Sequence, residues 1–311
     1  MKSIRLIFQI QVQVFDGAGV MRAALLLTCF NRKDKTLSCL ESIYSQLPVK
    51  NLELEIYLVD DGSTDGTGDA VAAKFSAVRL LRGDGSLYWN GGMNMAWSAA
   101  RADGFDAYMW ANDDIDLDPD ALSVMVHAFN EGHDDCGVEP VIVGNFCETD
   151  SGKHTYGGFS VKQTFRGMAT KRILPNGQIA RCDTFNGNLV LIPNSVVEMV
   201  GMLDPQYTHA FGDMDYGLKC MKNNIPMYIT PEYLGRCSRN SIKGTWVDST
   251  LPLAERYRKL LLPTGIPPKE YFYSCRKHSG RGVSIIALVK LYLRLLLPDF
   301  WARISRKESS K

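Results

Sequence analysis

Residues 53–67 read ELEIYLVDDGSTDGT. The first seven have the composition of a strand and stop at Asp60-Asp61-Gly62-Ser63, a turn sequence. A helix is expected over 65–74 with Thr64 as its cap. Upstream, residues 24–28 (ALLLT) form a short unbroken apolar run, the pattern of a strand buried on both faces. Residues 33–47 then carry helical spacing through Leu37, Leu40, Ile43, Tyr44 and Leu47, and Pro48 stops it. Downstream, 78–81 and 107–110 read as strands with a helix over 92–102 between them. Strands alternating with helices predict an α/β chain: a Rossmann-like, mostly parallel central sheet flanked by helices on both faces.

Beyond residue 120 the pattern loosens. A helix is expected over 119–130 and a strand near 138–144. Residues 147–184, rich in Gly, Thr and basic side chains, read as hairpins or loop. Strand character returns at 185–193, helices are expected at 194–200, 212–222, 253–262 and 268–278, and 233–250 reads as loop.

Composition fits this reading. The chain has 311 residues, 45% hydrophobic and 22% charged, with a net charge of +1. Those values exclude a disordered or collagen-like protein and give no electrostatic reason to expect nucleic acid. The eight cysteines form no CxxC pair and no zinc spacing, as in a reducing compartment. Residues 1–20 carry polar interruptions that argue against a signal peptide. Met21 directly precedes the first convincing strand, so 1–21 reads as an N-terminal extension.

In an open parallel sheet, ligands bind beyond the carboxyl ends of the strands. That edge receives Thr28-Cys29-Phe30-Asn31-Arg32, then Asp60 and Asp61, then Arg82-Gly83-Asp84-Gly85, then Asn112-Asp113-Asp114. Five Asp fall between 111 and 120. Crowded carboxylates repel unless a cation or hydrogen-bond donors offset them, and hard oxygens suit Mg²⁺ or Mn²⁺. Asp65 and Asp118 also fit the plainer role of helix caps and turn formers. No GxGxxG follows the first strand, and neither a P-loop nor a GxSxG elbow occurs, which argues against dehydrogenases, P-loop NTPases and α/β-hydrolases.

LLLTCFNR (25–32), LVDDGSTDGT (58–67) and the Asp-rich turn at 112–116 together resemble inverting family 2 glycosyltransferases of the GT-A fold. GSLYWNGGMN (85–94), DTFNGNLVLIP (183–193), FGDMDYGLKC (211–220), GRCSRN (235–240) and GIPPKEYFYSCRKHSG (265–280) extend the likeness to bacterial members that build surface polysaccharides, including rhamnosyltransferase-like ones. The resemblance implies a GT-A domain over 22–265, followed by a basic helical tail over 266–311.

It also implies roles. Thr28, Asn31, Arg32, Asp60 and Asp61 would surround the nucleotide, with Asp84 and Asp113 nearby on the donor side. The metal triplet falls on Asn112-Asp113-Asp114, where Asn replaces the first acid, so Asp114 is the expected ligand of Mg²⁺ or Mn²⁺ with Asn112 beside it. Asp213 matches the catalytic base, although Gly212 replaces the acid that precedes it in the family. A helix N-terminus would lower the Asp213 pKa; the plainer reading is an N-cap. Asp215 would support acceptor binding. No late His ligand exists in GRCSRN, so Arg236 or Arg239 would balance the diphosphate. Trp89, Gly91, Gly92 and Asn94 would line the sugar pocket, and His209 either faces the site or makes a structural hydrogen bond.

The implied reaction moves a sugar from a nucleotide-sugar donor, UDP- or dTDP-linked, to a hydroxyl of a glycan or polyprenyl-diphosphate-linked acceptor. The alternatives are a sugar nucleotidyltransferase, or a non-catalytic glycan-binding protein on a decayed transferase fold. From 276 to 311 there are nine basic and two acidic residues, against 26 basic and 32 acidic before them. Residues 283–307 therefore read as a peripheral contact with the inner face of the cytoplasmic membrane, Lys290 and Arg294 facing lipid phosphates, or as a helix packed on the domain or a dimer partner.

Overall fold

In strand β1 (Met21–Cys29) alternate side chains enter two different cores. Leu25 and Leu27 pack on one face of the sheet, and Ala24 and Leu26 on the other. This period-2 split explains why an unbroken apolar run makes a central strand. Each fully buried Leu contributes roughly 1.5–3 kcal/mol. In the computed structural model, which describes residues 19–164, 167–238 and 241–300, β1 is followed by α1 (Lys33–Tyr44), β2 (Leu52–Asp60), α2 (Thr67–Lys74), β3 (Arg79–Arg82), α3 (Tyr88–Asp103) and β4 (Ala107–Ala111). β1 lies between β2 and β4, and β2 pairs with β3, all in parallel. Thr28 pairs with Val59 and Cys29 with Asp60, so the first two loops leave the sheet side by side.

The chain continues through β5 (Asp116–Leu117), α4 (Ala121–Cys136), β6 (Val141–Cys147), β7 (His154–Tyr156), β8 (Gly158–Thr164), β9 (Gly167–Arg172), β10 (Ala180–Arg181), β11 (Thr184–Phe185) and β12 (Leu189–Pro193). Then come α5 (Asn194–Val200), α6 (Gly212–Lys222), β13 (Met227–Arg236), α7 (Leu253–Leu261), α8 (Pro268–Ser279) and α9 (Arg281–Leu296). The main sheet runs β3-β2-β1-β4-β12-β6-β13-β10, with β5 on β13 and β7 on β6. β12 is antiparallel to both neighbours, and β6 and β13 are parallel. A second sheet, β11-β8-β9, is built from the 147–184 stretch expected as hairpins.

Three local expectations change. β13 is a ten-residue strand that takes in the start of the expected 233–250 loop. Pro231 sits where its register against β6 slips, and the bulge hides the strand pattern. α3 begins at Tyr88, not residue 92, because the two glycines are accommodated inside its first turns. α2 begins at Thr67 after Gly66 in a left-handed conformation, so Thr64 is not its cap.

α1 and α4 cover one face of the sheet and α3, α5 and α6 the other. Side chains of α8 bond to Asp215 of α6, and a small cluster of Trp246, Leu260, Leu291 and Leu295 joins α7 to α9. No described helix is long and apolar enough to cross a membrane.

Candidate functional site

The carboxyl ends of β1, β2, β3 and β4 converge as expected, and hydrogen bonds stitch their loops together. Asn31, at φ 51°, donates its backbone N–H to Ser63 Oγ (2.9 Å) and accepts from Thr64 N at its own Oδ1 (2.8 Å). Asp60 is buried. One oxygen accepts from Ser63 N (3.0 Å) and the other from Arg82 (2.7 Å). Asp61, also buried, accepts from Gly85 N and Tyr88 N, both at 2.9 Å. Buried carboxylates require such donors. The pair therefore fixes the loop that presents Asp84, whose own carboxylate takes Ser86 N (2.9 Å) and is held below its ordinary pKa by the Ser86 hydroxyl. Phe30 stands exposed at this mouth, its ring 4.0 Å from the outward direction of Gly85. An exposed aromatic face beside these loops is a stacking surface, and the sequence reading had not singled it out.

Arg32 reaches across to the β4 loop. Its guanidinium lies 2.8 Å from Asp113 and 3.2 Å from Asp114. Burial would lower the Arg32 pKa, but the two carboxylates outweigh it and hold the charge. Thr36 adds a hydrogen bond to Asp113 (3.2 Å), yet burial still pushes the Asp113 carboxyl up. Lys35 lies 3.9 Å from Asp114. Among the described residues the other Asp114 oxygen accepts from the Cys237 thiol, at 3.8 Å. Cys237 is pushed up to about 12 by burial and Asp114, so it is a neutral thiol at pH 7. It occupies the segment where a late His was sought.

Asn112 turns to its neighbours. Its Oδ1 accepts from Trp89 Nε1 (2.9 Å), and its Nδ2 donates to Asn188 Oδ1 (2.7 Å). Trp89 is half-buried with its edge on Trp110, and this bond fixes it at the start of α3. Gly92 packs α3 onto β1: a Cβ there would sit 2.2 Å from Thr28 Oγ1, so its role is close approach of backbones and not sugar contact. Gly91 has only Leu87 within reach. Asn94 ties α3 to Leu203 O (3.2 Å).

Asp213 opens α6. Its Oδ2 accepts from Gly187 N (2.9 Å) and its Oδ1 from Met214 N (2.7 Å). Asp213 is half-buried. Burial pushes its pKa up against those backbone donors, which corrects the expectation of a lowered value: desolvation outweighs the helix end. Gly212, where an acid was expected, is a packing requirement, since a Cβ would meet Asn90 Oδ1 at 2.1 Å. Asn90 anchors this region by donating to Asp204 O and Tyr207 O.

Asp215 does not face an acceptor. It is buried and accepts from Tyr207 Oη (3.0 Å), His278 Nε2 (2.6 Å) and Lys277 Nζ (2.8 Å). Helical spacing turns it away from Asp213 and into the seam with α8. Arg236 pairs with Asp118 at 3.2 Å, and it is Asp120, not Asp118, that precedes α4. Asp65 bonds Thr67 N, the turn role expected of it. Arg239 lies outside the described residues. His209 sits edge-on to Tyr88, its pKa lowered by burial and by the Arg32 charge, so the ring is neutral beside the cleft.

One loop, Asn186-Gly187-Asn188, joins the two halves. Gly187 holds Asp213 while Asn188 holds Asn112 and lies 3.7 Å from Cys237. The sequence showed this FNGN stretch as part of a motif without assigning it a role. Among the described residues no three His, Cys, Asp or Glu are grouped to hold a metal. Arg32 and Lys35 approach one Asp114 oxygen; the other is the hard donor a divalent cation takes, and Mg²⁺ or Mn²⁺ there would need its remaining ligands from a diphosphate and water.

The sequence pattern of glycosyl transferase family 2 matches residues 25–188, slightly more than half of the chain. The structure is similar to S. aureus TarS 1–349 in complex with UDP-GlcNAc, at 13% identity and a TM-score of 0.53, over 89% of this chain and 73% of that one. It is similar also to the mannosyltransferase PcManGT from Pyrobaculum calidifontis in complex with GDP-Man and Mn²⁺, at 15% identity and a TM-score of 0.52, over 96% of this chain and 84% of that one. At such identities the likeness is one of fold, the mostly parallel GT-A sheet flanked by helices. No curated protein sequence matches the chain.

Proposed function

The chain belongs to glycosyl transferase family 2, and on that premise we propose that it transfers a sugar from a UDP- or dTDP-linked donor to a hydroxyl of a lipid-linked glycan, with inversion, in surface polysaccharide synthesis. The observation that carries this reading is the shared loop: Gly187 N binds Asp213 at 2.9 Å, and Asn188 Oδ1 binds Asn112, the neighbour of the Asp113–Asp114 pair, at 2.7 Å. The proposed base and the proposed diphosphate site would thereby be held by one loop, which suits the fixed geometry of an in-line displacement.

In this mechanism the nucleotide lies along Thr28–Arg32, the Asp60–Asp61 turn and Asp84, with its base on the Phe30 ring. Asp114 would hold Mg²⁺ or Mn²⁺, which when bound offsets negative charge on the leaving diphosphate. Arg32 and Lys35 add fixed positive charge at the same place. Asp213 accepts the proton from the acceptor hydroxyl as that oxygen attacks the anomeric carbon from the side opposite the diphosphate. Its raised pKa makes it a stronger base than an ordinary carboxylate. A single displacement inverts the anomeric centre. The resemblance to rhamnosyltransferase-like members favours a deoxyhexose donor, and the charge of the tail favours action at the inner membrane face.

The packing need for glycine at 212 supplies a reason for the missing acid other than decay, and supports an enzyme over a non-catalytic relative. The test is release of nucleoside diphosphate from a panel of UDP-, dTDP- and GDP-sugars with Mn²⁺ and lipid-linked acceptors. Acceptor-dependent release from one donor is expected; none from any donor would overturn the reading.

A further inference from the structure

The outer surface of α9 is apolar. Ile285, Ile286, Val289 and Leu293 are all exposed, at helical spacing. The inner face of the same helix is also largely apolar, through Ala287, Leu291 and Leu295. A helix apolar all round is buried in something. Beside it, α7 exposes Leu253 and Tyr257, and the two helices enclose a groove of about 590 Å³ completed by Tyr292 and Leu296. The sequence had placed only α9 and the residues after it at a surface contact. The structure adds α7, and it corrects Arg294, whose guanidinium stacks 5.0 Å from the Trp246 ring instead of pointing outward.

We propose that the joint outer face of α7 and α9 seats the protein on an anionic lipid surface, with lipid hydrocarbon entering the groove between the two helices. This deepens, and rests on, the reading of a lipid-linked acceptor. Charge selects the occupant. Arg258 and Arg281 are exposed on these helices, and Glu255 is paired with Lys259. A two-fold contact between copies would set these arginines against their own copies, whereas anionic headgroups complement them. Position agrees. The cluster beneath the face includes Tyr271, whose ring lies 5.7 Å from Phe211, the residue before α6 and Asp213. The neighbouring Glu270 accepts from Thr208 N and Oγ1 in the loop leading to α6. A face resting on lipid therefore stands behind the acceptor side of the cleft.

The experiment is sedimentation of the full chain with phosphatidylcholine vesicles, with and without phosphatidylglycerol, for the wild type and for Tyr257→Glu/Leu296→Glu. Both positions are exposed, so the variant should keep the wild-type circular dichroism spectrum and nucleotide binding. Expected are binding to the anionic vesicles that weakens with salt, and a loss of about tenfold or more in the variant. Equal binding by variant and wild type would overturn the proposal. So would a wild type that ignores both vesicles and sediments as a dimer that the variant dissociates, which would assign the face to a second copy. Neither result depends on transfer activity, so failure here and failure of the transferase reading are separable.

Discussion

His278 Nε2 donates to Asp215 Oδ1 across 2.6 Å, joining α8 to α6 two residues after the proposed base. Lys277 binds the other Asp215 oxygen at 2.8 Å and also Asp204 at 2.7 Å. Burial alone would raise the Asp215 pKa, but His278 and Lys277 outweigh it and hold the carboxyl below its usual range. Helix α8 thus fixes the orientation of the helix that carries Asp213.

Removing this carboxylate should be costly. Asp215→Ala leaves Lys277 and His278 facing a buried gap, and should lose about 3–5 kcal/mol at pH 7 by urea unfolding. The folded pKa of Asp215 is depressed, so its stabilisation is present above the unfolded value near about 4 and fades as pH falls through the folded one. The gap between wild type and variant should therefore narrow as pH falls below the ordinary carboxylate value of about 4. A gap independent of pH would show that the effect is packing, not charge.

Asp213→Asn should reduce kcat by at least about a hundredfold while donor binding, read by thermal shift, stays unchanged. In the wild type, kcat should rise with pH through a value above the ordinary carboxylate pKa of about 4, because burial raises this group. Full activity in the variant would remove Asp213 as base.

Asp114→Asn should abolish the extra thermal stabilisation that Mn²⁺ gives in the presence of nucleoside diphosphate, and a chelator should reverse that stabilisation in the wild type. The same Mn²⁺ response in both proteins would move the cation elsewhere.

Two glycines should resist substitution. Gly92→Ala places a methyl 2.2 Å from Thr28 Oγ1, and should cost about 1–3 kcal/mol by overpacking the α3–β1 contact. Gly212→Glu, which supplies the acid that the family resemblance implies, should lower both stability and activity because its Cβ collides with Asn90. Raised activity in that variant would show that the acid was lost without a packing cause.

Most of the sheet was legible because β1, β2 and β4 are buried on both faces, so their apolar runs could not belong to surface loops. The acidic edge was legible for a related reason: parallel strands deliver their carboxyl ends to one side, so Asp60, Asp61, Asp113 and Asp114 had to converge. β13 was not legible, because Pro231 and two register slips break its pattern while pairing with β6 supplies the missing stability. Phe30, Cys237 and the Asn186–Asn188 loop lay inside recognisable motifs but carried no signal of a role of their own. Their importance comes from what lies across the cleft.

The sequence by itself determined the α/β class and which residues are brought to the carboxyl edge, because those follow from periodicity and short-range turn chemistry, and its motifs carried the resemblance to the family. Only the tertiary structure decided what each of them does there. Asp213 is raised and not lowered because burial is a property of the packed cleft, and Asp215 serves the α6–α8 seam because a partner 63 residues away lies within hydrogen-bonding reach. Solvation and long-range contact are set by folding, and no window of sequence contains them.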